Sequence, residues 1–401
     1  MRIDERYGYH QKWVTTKLQQ PIMVISRFIL MSDFVFVEQF SIGSGHLNVA
    51  VKDSIDVAGH PSKLGSAALD SVKPAKNHAE VVERILAADC KLVGKLNMHE
   101  FAFGMTGVNH WAGTPNNYLY PDYIPGGSSS GSASAVAEGL VDFSLGTDTG
   151  GSIRLPAACC GVYGFKPTFG RVSRVGIMPS ETTLDCVGPF AQSIEKIIQA
   201  MSIIDRSFKT ITPPENVVIG VVAVDVDENI QTTVVQFLQQ TDFKQVTVAL
   251  PSLKAAFEAG LTLINAEAWS SCGQYLTSGK VGEDVAKRLK SASETDDEQL
   301  HSAEDVRERF TQEVDDLFKQ VTVLVLPTLP SMPMLREEAL AGKVDLNISA
   351  LVRPFNLSGH PALSIPLKEP LGRPVGLQII AAKNQDELLC EVARLFSTFL
   401  D

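Results

Sequence analysis

The chain has 401 residues, enough to bury a large core as one big α/β domain or as two ordinary ones. It is 44% hydrophobic and 20% charged, and its formal charge of −11 excludes a general attraction to nucleic acid or to an anionic membrane. No Lys/Arg block offsets that charge locally and no apolar run reaches the length of a membrane span, so neither is expected as a partner.

Residues 1–30 end in an apolar stretch, Ile22 to Leu30, that Arg27 interrupts and no small-residue cleavage site follows. They are expected to be an extension outside the fold. Met31 reads as a plausible start, which leaves 31–401 as the folded domain. From about residue 47, short β-branched runs alternate with helical ones, as in an α/β fold with helices covering a sheet. Leu47–Val51 is expected as a strand, Ala79–Ala88 as a helix and Lys91–Gly94 as a second strand. A Gly/Ser loop at Gly126–Ser132 leads into a small-residue helix, Ala133–Gly139, then a strand, Val141–Leu145, and a second glycine loop, Gly146–Ser152. Strands at Val217–Val222 and Val246–Leu250 and long helices at Leu253–Tyr275 and Ala303–Lys319 follow. The C-terminal part returns to sheet at Val321–Leu326, Ala362–Pro366 and Val375–Ala381, and a helix over Glu387–Leu400 closes the chain. Residues 190–320 are the least patterned and are expected to form a cap-like region over a shared core.

The six cysteines, Cys90, Cys159, Cys160, Cys186, Cys272 and Cys390, form no C-x-x-C pair, and the eight histidines show no metal spacing. Reduced thiols packed as small hydrophobes in a cytoplasmic protein are the expectation, with no metal and no cofactor.

The densest signal is residues 126–167, GGSSSGSASAVAEGLVDFSLGTDTGGSIRLPAACCGVYGFKP. Gly150 and Gly151 before Ser152 allow a tight turn with exposed N–H groups, a nest able to hold a developing oxyanion. Ser152 stands where its hydroxyl meets the carbonyl that such a nest polarises. Asp148 and Arg154 flank the loop and are placed to pair across it. Gly/Ser loops are usually just turns, but two of them, separated by a helix and a strand and bracketed by charge, point to chemistry. For the base, two readings stay open. Gly127-Ser128-Ser129-Ser130-Gly131 matches G-x-S-x-G with Ser129 central and His301 or His360 downstream, although Tyr120–Pro125 before it does not read as the strand that motif requires. Alternatively Lys52, in Val51-Lys52-Asp53, follows an apolar strand. If buried it would be held neutral and able to accept a proton.

These residues resemble the amidase-signature hydrolases, strongly over 47–195 and more loosely over 320–395. VKDSIDVAG at 51–59, GKLNMHEFAFG at 94–104 and PVGLQIIAA at 374–382 are similar to blocks of that family. The resemblance implies one α/β/α domain around a mixed twisted sheet and a Ser–cisSer–Lys triad. Ser152 would be the nucleophile, Ser128 the bridging serine after a cis peptide, and Lys52 the base. The backbone N–H groups of Thr149, Gly150, Gly151 and Ser152 would form the oxyanion hole. It further implies an amidase acting on a small-molecule amide through an acyl-enzyme, with a homodimer as a possible assembly. In length the chain is similar to the compact members acting on arylacetamides such as indole-3-acetamide. Ser130 stands where many members carry Gly, Asp89-Cys90 replaces Gly-Ala, and Tyr118 replaces a Pro.

Two competing readings are a glutaminase subunit of a tRNA-dependent amidotransferase and a non-catalytic binding protein on the same fold. The segment 260–320 is shorter than in the glutaminase subunit, and Ile348–Asn356 holds no acid for a substrate ammonium. Small apolar or aromatic amides are therefore expected over glutamine. Met98, Phe101, Phe103, Met105 and Trp111 are candidates for the acyl pocket, with ordinary core packing the competing account of each.

Overall fold

The computed structural model describes residues 34–345 and 347–400. The expected extension over residues 1–30 lies outside them. The described chain builds one eleven-stranded sheet, in the order β1-β3-β2-β4-β6-β5-β10-β11-β9-β7-β8. Its strands are β1 (Phe36–Ile42), β2 (Asn48–Lys52), β3 (Lys91–Leu96), β4 (Phe143–Asp148), β5 (Tyr163–Lys166), β6 (Cys186–Ala191), β7 (Val218–Val222), β8 (Lys244–Val248), β9 (Val323–Pro327), β10 (Ala362–Leu367) and β11 (Val375–Ile380). β2 runs parallel to β3 and β4, and β7 parallel to β8 and β9. The strands from β4 through β6, β5, β10 and β11 to β9 pair antiparallel, so the sheet is mixed, as expected.

Strand alternation splits the core into two layers. In β9, Val323 and Val325 face one cluster while Leu324 and Leu326 face another. The first face is covered by α1 (Glu80–Ala87), α4 (Ile194–Ile204), α5 (Glu228–Gln239) and α11 (Asp386–Ser397). The second carries α2 (Ser130–Ala137), α3 (Arg154–Cys160), α6 (Leu253–Cys272), α8 (Asp297–Leu317) and the short α10 (Pro354–Leu357). Between α6 and α8 lies α7 (Glu283–Ala292), whose Val285, Leu289 and Ala292 pack on Met98, Phe101 and Phe103. The result is an α/β/α sandwich. Within 190–320, β7 and β8 extend the common sheet, and α6 and α8 pack on one of its faces.

Three strands escape the sequence pattern. β1 is an edge strand with alternately exposed residues, and β5 spans only four residues. β6 contains Pro189, which is tolerated because β5 pairs only with Phe190 and Ala191, leaving the proline's far side without a ladder partner. The small-residue run of α2 has a packing cause. Every residue of α2 is buried, Ser144 Oγ donates to Ser132 O at 2.8 Å, and a Cβ on Gly131 would stand 2.6 Å from Asn97 N.

Candidate active site

Parallel β2 and β4 end at the same edge of the sheet, and the start of α2 lies against them. Lys52, the last residue of β2, is fully buried. Its Nζ donates to Ser128 Oγ at 2.7 Å and to Thr147 Oγ1 at 2.8 Å, with no carboxylate in bonding range among the described residues. The peptide bond between Gly127 and Ser128 is cis. Gly127 also sits where a Cβ would stand 2.7 Å from Gly107 N, so the loop needs a glycine for space.

Beyond β4 the chain turns through Thr149–Ser152 into α3. Gly151 takes the positive φ of this turn, at 111°, while Gly150 is kept bare by crowding. Asp148 organises the turn: Oδ1 accepts from Gly151 N at 2.7 Å, and Oδ2 from Ile153 N at 3.1 Å. The N–H of Gly151 is thereby engaged, whereas among the described residues no protein acceptor takes those of Gly150 and Ser152. Arg154 pairs with Asp148 through Nε at 3.0 Å and Nη2 at 2.9 Å. It also donates from Nη1 to Val352 O and Gln378 Oε1, and from Nη2 to Asn356 Oδ1 at 2.6 Å. The five donors of the guanidinium are all used. Asn356 Nδ2 closes the cluster on Asp148 O and Oδ1 at 2.7 and 2.8 Å.

Electrostatics separate the two charged groups. Burial lowers the Lys52 ammonium from its ordinary value to about 7, against the opposing pull of Asp185 and Asp148. Near neutral pH a large share of Lys52 is therefore the free amine. Burial also works against ionised Asp148, but Arg154 and Asn356 outweigh it and hold the carboxyl well below its usual range. Asp185 is buried beside this pair, accepting from Thr149 Oγ1 at 2.9 Å and bridged to Arg174 at 2.8 Å.

Ser152 Oγ contacts Met105 Sδ at 4.0 Å and makes no hydrogen bond to Ser128 in this conformation. Of the other pocket candidates, Met98, Phe101 and Phe103 pack in the cluster under α7. Trp111 is 44% exposed, with Lys63 Nζ 5.6 Å from its ring centre. Ser129 Oγ is engaged with the backbone, donating to Thr147 O at 3.1 Å and accepting from Thr147 N at 3.3 Å. His301 is exposed on α8, and His360 is buried against Asp315 and Ser358. The groups missed in the sequence are Thr147, Asp185, Asn356 and Gln378. No local motif marks them except the position of Asn356 in a Pro-x-Asn segment. Among the described residues, no group of His, Cys, Asp and Glu is arranged to hold a metal, all six cysteines are buried and free, and no helix is long and apolar enough to cross a membrane.

An α/β/α sandwich with a buried lysine on a serine beside a glycine-rich turn defines an enzyme of carbon–nitrogen bonds. The chain belongs to the amidase-signature family: residues 47–390 match the family described as Amidase. It is 33% identical over 395 residues to a Glutamyl-tRNA(Gln) amidotransferase subunit from Halobacterium salinarum, covering 86% of this chain and 93% of that one. A solved amidase superposes with a TM-score of 0.80 at 30% identity, over 89% of this chain and 85% of that one. An inhibitor-bound complex described as revealing the origins of an s-triazine catabolic enzyme superposes with a TM-score of 0.82 at 26% identity, over 88% and 84%.

Proposed function

We propose that the chain hydrolyses a small carboxamide to the acid and ammonia through an acyl-enzyme on Ser152. The observation that carries this reading is the buried Lys52, lowered to about 7 and 2.7 Å from Ser128 Oγ. Free Lys52 takes the Ser128 proton as Ser128 takes that of Ser152, whose oxygen attacks the amide carbon. The tetrahedral oxyanion is held by the N–H groups of the Thr149–Ser152 turn, those of Gly150 and Ser152 having no protein acceptor among the described residues. The relay then returns the proton to the departing nitrogen, and water repeats the sequence on the acyl-enzyme.

The relatives favour one setting for this chemistry over the sequence expectation of aromatic amides: release of ammonia within an amidotransferase, beside partner chains. The test is kcat/KM of the purified chain for glutamine and for indole-3-acetamide. Glutamine is expected to turn over better. A better arylacetamide would return the stand-alone amidase reading to first place.

A further inference from the structure

The segment Ile348–Asn356 holds no acid, but it holds Arg353. This residue is 5% exposed and, among the described residues, meets no carboxylate. Its Nη2 donates to Ser349 Oγ at 2.7 Å, Nη1 reaches Phe257 O at 3.4 Å, and the guanidinium stacks 4.3 Å from the Phe257 ring centre. Nε has no partner among the described residues. The stem crosses α6 at Gly260, where a Cβ would stand 3.0 Å from Arg353 Cγ. A second cation, Arg288 on α7, lies over the Phe103 ring at 4.2 Å and also lacks a salt bridge among the described residues. By contrast the buried Arg154 and the half-buried Arg171 and Arg174 each meet at least one carboxylate.

A guanidinium does not give up its proton in a protein, and a buried charge without a counter-charge is costly. Burial, and after it the charge of Arg288, works against the Arg353 cation, which stays charged at neutral pH and meets no counter-charge among the described residues. Its position shows where a counter-charge belongs. The Nε atom lies 3.4 Å from the point a Cβ on Gly150 would occupy, and Met105 Cε lies 3.4 Å from the same point. Met105 Sδ in turn touches Ser152 Oγ at 4.0 Å. Ile264 Cδ1 also stands 2.9 Å from that point, so the unpaired cation lies beside the turn that carries Ser152.

We infer that Arg353 anchors a carboxylate on the acyl side of the substrate, so that the preferred amides are those of short acyl chains ending in a carboxylate. This inference deepens the hydrolysis reading and rests on it, but not on the amidotransferase setting. A charge-assisted guanidinium–carboxylate contact in a desolvated site is worth about 10- to 100-fold in kcat/KM.

The test compares glutaramate with pentanamide, which share a five-carbon acyl chain and differ in the terminal carboxylate. The intact chain is expected to favour glutaramate by about that factor. Arg353→Met is expected to bring the ratio near one by raising KM for glutaramate, and Arg353→Lys to restore part of the preference. A residue that only braced α6 would lower both substrates together. A ratio near one in the unaltered chain, or one unchanged in Arg353→Met, overturns the inference. Calorimetric titration of the Ser152→Ala chain with glutarate gives a reading independent of turnover. Glutarate binding that vanishes on adding Arg353→Met, with no amide hydrolysed, would sink the hydrolysis reading and leave the anion site standing. Amides hydrolysed without preference and no glutarate bound would do the reverse.

Discussion

Two buried charges meet at the end of β4 and are treated in opposite ways. Around Arg154, donors and acceptors are matched: five N–H groups find Asp148, Asn356, Gln378 and a backbone carbonyl. Around Lys52 the chain supplies only two hydroxyls, Ser128 and Thr147, and lets burial drive the ammonium toward neutrality. A matched buried pair keeps its charge and fixes geometry, whereas an unmatched lysine becomes able to exchange a proton. On the proposed mechanism the first region is a scaffold and the second a reagent. The Ser152 turn hangs between them, shaped by Asp148 and open at the N–H groups of Gly150 and Ser152.

Removing the proposed nucleophile, Ser152, should break the reagent side most completely. Ser152→Ala is expected to lower kcat for amide hydrolysis by about 10⁴-fold or more with the fold intact, measured as ammonia release together with thermal unfolding. Lys52→Met is expected to lose nearly as much activity yet to gain stability. The folded pKa of Lys52 lies below the ordinary lysine value, so folding resists the proton. That cost is complete below about pH 7 and fades as pH rises toward the unfolded lysine value, so the gain in melting temperature should be largest at and below pH 7 and shrink in alkali. Equal melting temperatures at all pH values would mean that Lys52 is not a buried burden.

On the scaffold side the expected effect is on stability. Asp148→Asn removes the carboxylate that, among the described residues, alone pairs with the buried Arg154, which costs about 3–5 kcal/mol. Because the folded pKa of Asp148 is depressed, its contribution is present above the ordinary carboxylate range and is lost as pH falls below it. The variant's deficit in denaturant unfolding should accordingly be full at neutral pH and narrow in acid. A smaller effect follows for the unaltered enzyme: kcat/KM should rise with pH through about 7 as Lys52 loses its proton, then hold into the alkaline range. A profile that peaks in acid would exclude lysine as the base.

The reagent was more legible in the sequence than the scaffold. Ser152 follows paired glycines and stands out in its local pattern, whereas Lys52, at the end of an apolar strand, is one of two open readings for the base until the family resemblance selects it. Ser128 was identified only through resemblance, since three consecutive serines offer no local choice among them. The pairing of Arg154 with Asp148 is read from the charged brackets of the loop, but its partners Asn356 and Gln378 lie 202 and 224 positions away, and no local pattern connects them. Arg353 was hidden for another reason: an arginine before Pro-Phe-Asn reads as a surface cation, and only its depth and lack of a carboxylate set it apart. In the fold, strands that alternate or run apolar were visible, while β6, broken by Gly188 and Pro189, was not.

The mildest substitution, Ser129→Ala, sharpens the division because it sits on the border. Ser129 belongs to the same three-serine run as Ser128, yet its Oγ holds the backbone of Thr147 through a donated bond at 3.1 Å and an accepted one at 3.3 Å. Thr147 is in turn the second hydroxyl on Lys52. Losing Oγ leaves the N–H and carbonyl of Thr147 less well satisfied in a buried place, which costs about 1–2 kcal/mol of stability. The position of Thr147 itself is set by the ladder between β4 and β6, where it faces Val187, so the Lys52 contact should survive. Ser129→Ala is therefore expected to keep ammonia release within about tenfold of the unaltered chain, a small loss beside the removal of Ser152. If Ser129→Ala proved inactive while Ser152→Ala kept its rate, the nucleophile would be Ser129 and the contrast between scaffold and reagent would have been drawn around the wrong serine.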